Sequence, residues 1–492
     1  MRTKYYYTLL AVTMLFSLSA CNDWLKVDME DGIMEEALYS TNEGYLSTLN
    51  GIYGNMNSAY VPFMTMGAVD VMAQYYNVQR SQGHPFYAYA NYDYSGTTFD
   101  KASANYWERV FNIILNANQL LEQCDKSGSV LAPRYYNMVK GEALALRAML
   151  HLDLLRFYGP IYNQQNATAI AIPYLETTDR VIQSILPANQ VVDKILRDLN
   201  AAEELLQNDS VRTYGVQSSD AEDLNSNNDF RYRQYRLNYY AVRTLQARTY
   251  MWIGDNTKAF AIVKELISEI EERQVFPWVL PRAVSMAYTT QDNVFSTEVI
   301  FALYNTSRET AFNSLYSEEN EEDGLHFIGG LSGGESKVEE FYGMNAGLDY
   351  RKNQWISETN VDEKEFSYLT KYSRKTASSY EHWRYMVPLI RVSELYLMAA
   401  ECASNIEEAT GYINTIRANR SANDVEPSGD NLDRYIREEF ARETLGEGQL
   451  FFFYKRHAAD QMTSGTAVNA FYNMNVDKYQ VPLPTAERNF DR

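Results

Sequence analysis

Between Leu237 and Ile270, apolar residues return every three or four positions, and the run breaks once, at Gly254. Leu237, Tyr240, Ala241, Thr244 and Leu245 form the stripe of one amphipathic helix, and Ala259, Val263, Leu266, Ile267 and Ile270 that of the next. Two striped helices joined by a tight turn bury their stripes against each other and against a further layer. Ala241, Leu245, Ala247, Tyr250, Gly254 and Ala259 approximate the small–large pattern of a tetratricopeptide unit of about 34 residues. Small residues let one helix approach its neighbour, and large ones fill the gap. The pattern returns near the C-terminus, with Leu389, Val392, Leu395, Tyr396 and Ala399 on one helix and Ala409, Tyr412, Ile413 and Ile416 on the next. The sequence therefore predicts a mainly α chain built from helix pairs.

Three further helices are legible. Trp107, Val110, Phe111, Ile114, Leu115, Asn118 and Leu121 mark the first, with Trp107 on its core face. Leu144, Ala148, Leu152 and Leu155 mark the second, and Gly159-Pro160 stops it because proline cannot continue the hydrogen-bond ladder. Val192, Ile195, Leu196, Leu199, Ala202 and Leu206 mark the third, with Asn189 placed to cap it. Arg147, Arg391 and Glu394 fall within helical segments, where structural ion pairs or contacts with helix ends are expected. The pairs are too widely separated for a simple solenoid. Residues 208–229, rich in Ser, Asp and Asn, read as a surface excursion. Residues 274–388 carry no long helical period and read as an irregular insertion with short strands and short helices. Connections of that length in a compact domain are functional or disordered, and the aromatic content here argues for function.

The N-terminus reads as an export signal. Arg2 and Lys4 precede an uncharged, mostly apolar stretch from Tyr5 to Leu18, which ends in Leu18-Ser19-Ala20-Cys21. The stretch is shorter than the roughly 20 residues of a spanning helix. Leucine, two small residues and a cysteine have the form of a bacterial lipobox, so residues 1–20 are expected to be removed and Cys21 to carry lipid. Cys124 and Cys402 are the other two cysteines and are expected to act as buried thiols. A net charge of −20 repels phosphate backbones and argues against a nucleic-acid partner.

Catalytic and metal motifs are weak. Gly330-Leu331-Ser332-Gly333-Gly334 fits the Gly-x-Ser-x-Gly nucleophile elbow, with His382 and His457 downstream. It lies in a glycine-rich loop, and a flexible turn is the simpler reading. No His-Glu-x-x-His or phosphate-loop motif is present, and the five histidines stand apart. The acidic run from Glu318 to Asp323 lacks the spacing of a calcium loop and reads as solvated. No cofactor and no metal are expected.

The informative cluster is aromatic. Tyr75, Tyr76, Phe86, Tyr87, Tyr89, Tyr92, Tyr94 and Phe99 are interleaved with Asp70, Gln74, Arg80, Gln82, Asn91 and Asp93. Sugars stack on aromatic rings and take hydrogen bonds from planar polar groups, often through water. The same rings could instead fill the core, since a tyrosine offers an apolar face with a polar tip and this chain has 40 of them.

Taken in order, several segments carry a family signature. They are Cys21 to Asp28; Tyr39-Ser40-Thr41 with Leu49 to Tyr53; Trp107, Ile113 and Asn116 to Leu121; and Gly141 to Ala148 with Arg156 to Pro160. Leu389 to Glu401 with Ile413 to Arg417, Ile436 to Arg456 and Val481 to Pro484 complete the series. Together they resemble the SusD/RagB outer-membrane lipoproteins of Bacteroidetes. Two features depart from the pattern: Leu450-Phe451-Phe452-Phe453 replaces an Arg-Trp/Phe-x-Asp stretch, and Gln449 stands where Arg or His is usual.

The resemblance implies four tetratricopeptide-like helix pairs packed against an irregular, loop-rich half with short strands. Residues 21–215 would form the SusD-like N-terminal region and 216–492 the RagB/SusD C-terminal region, with the insertion at about 274–388. It implies a lipid-anchored, surface-facing outer-membrane protein that takes part in polysaccharide utilisation. Such a protein binds an oligosaccharide or other nutrient without catalysis and delivers it to a SusC-like TonB-dependent β-barrel transporter. Family glycan sites draw on the segment between the first helices and on the insertion. The candidates are therefore Asp70, Tyr75, Tyr76, Arg80, Tyr87, Tyr89, Asn91 and Tyr92 from the first, and Trp278, Tyr288, Tyr304 and Trp355 from the second. A competing reading is a lid or assembly subunit with little affinity of its own. Exposed rings in one shallow patch would favour binding, whereas buried rings would favour the lid.

Overall fold

The computed structural model describes residues 35–488, except 79–82, 127–129, 180, 217–227, 286–290, 321–322, 330–335, 344–347, 360–364 and 374–381. Cys21, Arg80, Tyr288 and the Ser332 loop lie outside the described residues.

The helical half is a run of neighbouring helices. They are α1 (Asn42–Tyr60), α2 (Thr97–Asp125), α3 (Pro133–Tyr158), α4 (Ala188–Leu205), α5 (Tyr239–Trp252) and α6 (Asn256–Arg273). Each packs on the next, giving the pairs α1/α2, α3/α4 and α5/α6. Side-chain caps set several starts: Thr41 accepts from the Gly44 N–H, Asn238 from Ala241 and Asp255 from Lys258. Gly254, at φ +78°, makes the turn between α5 and α6.

α3 is buried on all sides from Val139 to Tyr158, apart from one half-exposed position at Lys140, which marks it as the central helix. Its buried polar side chains are partnered, with Arg156 Nε the exception among the described atoms. Glu142 accepts from Tyr53 (2.8 Å) and pairs with Arg233; Arg147 meets Asp198 at 2.6 Å; Asp153 accepts from Tyr60 at 2.5 Å. Trp107 is buried, and Arg248 pairs with Glu394 at 2.5 Å, so the core and ion-pair expectations for these positions hold. Cys124 is buried and Cys402 half-buried, and both thiols are free, so Cys402 is less enclosed than expected.

The irregular half begins with β1 (Val299–Tyr304), β2 (His326–Ile328), α7 (Lys337–Tyr342), β3 (Trp355–Thr359), β4 (Glu365–Leu369) and β5 (Met386–Arg391). β1 pairs antiparallel with β5, Val299 opposite Arg391 and Tyr304 opposite Met386, while β4 lies between β2 and β3. The chain then forms α8 (Val392–Cys402) and α9 (Ile406–Ala418), the fourth helix pair, with α8 also packed on α6. α10 (Leu432–Thr444) and α11 (Leu450–Arg456) follow, then a hairpin of β6 (Gln461–Thr463) and β7 (Phe471–Asn473). Four helix pairs beside a loop-rich half with short strands is the architecture expected from the sequence.

The halves are joined by a buried ion network. Arg351 meets Asp349 (2.7 Å), Glu439 (2.5 Å) and Glu443 (2.8 Å); Arg391 meets Glu443 (2.9 Å) and Glu447 (2.7 Å). Arg420 meets Glu298 (2.6 Å) and Glu443 (2.7 Å), and Lys371 meets Glu447 (2.6 Å). Arg351 and Glu298 come from the insertion, Arg420 follows α9, and Glu439 and Glu443 project from α10. The network therefore fixes α10 against the insertion, and that contact creates the candidate site.

Candidate ligand-binding site

α10 has two faces. Ile436, Glu439, Phe440 and Glu443 turn inward to the core and the ion network. Arg434, Tyr435, Arg437, Glu438, Ala441 and Arg442 line a cavity of about 580 Å³. That volume lies within the roughly 300–1,000 Å³ of small-molecule sites. The opposite wall is Ala73, Gln74 and Tyr75 with Phe327, Lys337, Glu340, Phe341 and Tyr342. The hairpin contributes Thr463 and Phe471, and Phe471 remains 60% exposed. The cavity thus brings together the two regions singled out from sequence, the segment after the first helix and the insertion. It adds α10 and the hairpin, for which no binding role was expected.

The lining combines flat rings and charged forks. Tyr75 donates to the Ala441 carbonyl at 2.7 Å, which ties the 73–75 wall to α10. Arg442 donates to the Phe341 carbonyl at 2.8 Å and reaches Glu438 and Glu439 at 3.3 Å each. Lys337 is held by Glu340 at 2.8 Å; burial lowers its pKa, and Glu340 works against that shift. Arg434 lies over the Tyr435 ring at 4.8 Å and is half exposed. An apolar surface with convergent polar groups suits an amphipathic ligand such as a sugar.

The sequence candidates distribute unevenly around this cavity. Tyr75 lines it. Trp355 lies behind the wall, buried against Phe327 (ring centroids 4.0 Å) and donating to the Tyr342 hydroxyl at 3.2 Å. Tyr76 is buried against Phe327 and Tyr316. Tyr89 is buried between Phe63 and Phe99, and Tyr92 is buried with its hydroxyl on the Met72 carbonyl at 2.6 Å. Trp278 is half-buried, between Tyr396 and the Arg420 guanidinium. Tyr87 is half-buried and Asn91 exposed, outside the cavity lining. Tyr304 is exposed on a separate surface, flanked by the rings of Tyr235 and Tyr385. The expectation of one open aromatic patch is therefore corrected: burial leaves Tyr76, Tyr89, Tyr92 and Trp355 no free face on which a sugar could stack.

Asp70 is also fully buried. One oxygen accepts from the Gly448 N–H at 3.0 Å, and Oδ2 has no hydrogen-bond partner. Burial pushes its pKa up to about 8, against the opposing pull of the Gly448 N–H and Lys371. A carboxyl whose folded pKa exceeds its unfolded value supports the fold below the ordinary carboxylate range and loses that support as pH rises through the folded pKa. Asp70→Asn should therefore flatten the stability profile. In urea titrations from about pH 4 to about pH 9, the variant should gain on the parent as pH rises. A constant difference across that range would contradict the assignment.

Residues 34–221 match the model of a SusD-like family described as starch-binding and associating with the outer membrane. A SusD-like protein, P38, of Formosa agariphila is 26% identical over 203 residues, which are 40% of this chain and only 37% of that protein's length. A SusD superfamily protein of Bacteroides thetaiotaomicron shares the fold at a TM-score of 0.64 and 20% identity, over 91% of this chain and 98% of the other. A SusD-like carbohydrate-binding protein of Bacteroides vulgatus does so at 0.63 and 17% identity, over 86% and 85%. Among the described residues, no helix is long and apolar enough to cross a membrane. The sequence match to the SusD-like family model thus covers residues 34–221, and the chain shares the fold of SusD superfamily structures along nearly its whole length.

Proposed function

We propose that this protein binds an oligosaccharide in the cavity beneath α10, at the outer face of the outer membrane, and passes it to a SusC-like TonB-dependent transporter. The cavity carries the reading. It is large enough for a sugar ligand, open at Phe471, and walled by the two regions on which family glycan sites draw. The family's description as starch-binding and outer-membrane-associated supports the ligand class and the location. Anchoring rests on the lipobox at Cys21. The reading is of binding without chemistry, since the described lining residues are rings and charged groups with no nucleophile next to a free base.

A second reading, a lid or assembly subunit with negligible affinity, is favoured by the burial of Tyr76, Tyr89, Tyr92 and Trp355. Calorimetry of the mature protein against starch, plant and host oligosaccharides separates the two. Binding is expected, with affinity falling at least about tenfold in Phe471→Ala/Tyr435→Ala, a loss of about 1.4 kcal/mol. Loss of binding in Tyr87→Ala with the cavity variant unaffected would move the site to the aromatic segment. Silence across the panel would leave the lid reading in place.

A further inference from the structure

The charge inside the cavity is opposite to that of the chain. The protein carries −20 overall, yet five of its cationic side chains line this one cavity: Lys337, Arg417, Arg434, Arg437 and Arg442. The lining carboxylates are Glu340 and Glu438. Both are already engaged: Glu340 by Lys337 and by the Asn469 N–H at 3.0 Å, Glu438 by Arg442 and by Arg434 at 3.5 Å. From below, Glu439 takes Arg417 at 3.0 Å as well as Arg442.

Arg437 is left over. Among the described residues its guanidinium has no hydrogen bond and no carboxylate partner, and the neutral Tyr454 shares the lining with it. It stands on the cavity face of α10 between Arg434 and Ala441, half-buried. An unpaired guanidinium at the cavity wall is available to a ligand anion, which supplies the partner that no side chain provides. The planar fork of arginine matches carboxylate and sulfate oxygens two at a time.

On the reading that this cavity is the glycan site, we infer that its ligand is an acidic oligosaccharide, bearing carboxylate or sulfate groups, and that Arg437 pairs with one of those groups while Phe471 and Tyr435 hold the sugar rings. A neutral glucan leaves Arg437 unpaired and gains nothing from the surplus of cations. The interaction is an exposed-to-half-buried ion pair, so its strength falls with added salt.

The test is calorimetry of the mature protein with three probes of similar length: oligogalacturonate, sulfated chondroitin oligosaccharide and maltooligosaccharide. At least one acidic probe is expected to bind about tenfold or more tightly than the neutral one, and to weaken when salt is raised. The carboxylated and sulfated arms show which anion is preferred. Arg437→Gln should remove most of that preference while leaving the thermal midpoint unchanged, and Arg437→Lys should restore part of it. Binding of the neutral probe in preference to both acidic ones overturns the inference and leaves the glycan reading standing. An acidic preference that survives Arg437→Gln intact overturns the role of Arg437. No binding of any probe overturns both the inference and the reading beneath it.

Discussion

Glu443→Ala is expected to remove at least about 4 kcal/mol of stability, because truncating one partner of a buried ion network leaves the others uncompensated. Glu443 is fully buried, and its two oxygens serve Arg351, Arg391 and Arg420 at 2.7–2.9 Å. Burial alone would push its pKa up, but Arg420 and Arg391 pull it well below the ordinary carboxylate range. Glu439 is likewise depressed by Arg351, Arg442 and Arg417 against the cost of burial. A depressed folded pKa contributes stability above the unfolded value and loses it as pH falls through the folded one. The parent should therefore lose stability on acidification below the usual carboxylate range, and the variant should lose less over the same interval. Urea titration at neutral and acid pH measures both effects. A neutral-pH loss under about 1 kcal/mol would show that the network is not what holds α10 to the insertion.

Gly448→Ala should be nearly as severe, at about 3 kcal/mol or more. Gly448 has φ +69°, and a Cβ built on it would lie 1.7 Å from the Met64 carbonyl oxygen. Its N–H also holds Asp70. Any side chain must displace the backbone after α1 or the turn before α11, and both border the cavity region. Gly254 provides the control. It has φ +78°, but nothing lies within 4 Å of a Cβ there, so Gly254→Ala should cost only the left-handed strain of about 1–2 kcal/mol. Equal thermal midpoints for the two variants would contradict the steric account.

The helix pairs were legible because their stripes are regular and Gly254 marks the turn between α5 and α6, whereas the cap expected at Asn189 is absent: α4 starts one residue earlier, at Ala188, after Pro187 and with no side-chain cap. The insertion was legible only as an irregular region. Its longest pairing joins β1 to β5, more than eighty residues apart, and no local pattern encodes such a partner. The aromatic segment misled for a specific reason. Its interleaved polar groups looked like sugar ligands, yet Gln74, Asn91 and Asp93 bond within the segment itself. Gln74 donates to the Ala90 carbonyl at 2.8 Å, and Tyr92 donates to Met72. A tyrosine whose hydroxyl reaches a backbone carbonyl buries much as phenylalanine does.

The α10 wall had a signal that went unused. Arg434, Arg437 and Arg442 recur near helical spacing opposite the acidic Glu439 and Glu443, so one helix carries a cationic outer face and an acidic inner one. Phe471 had none, since a single phenylalanine on a three-residue strand does not reveal that it is exposed. The departure at Gln449 also resolves structurally: its side-chain oxygen accepts from Arg156 at 3.0 Å, and Arg156 lies over the Phe452 ring at 4.2 Å.

The most direct measurement is a crystal structure of the mature protein with a bound oligosaccharide identified by calorimetry. The account predicts sugar rings between Phe471 and α10, with a ligand anion on Arg437. Ligand seated instead on the exposed Tyr304 surface or on Tyr87 and Asn91, with the α10 cavity empty, would contradict it.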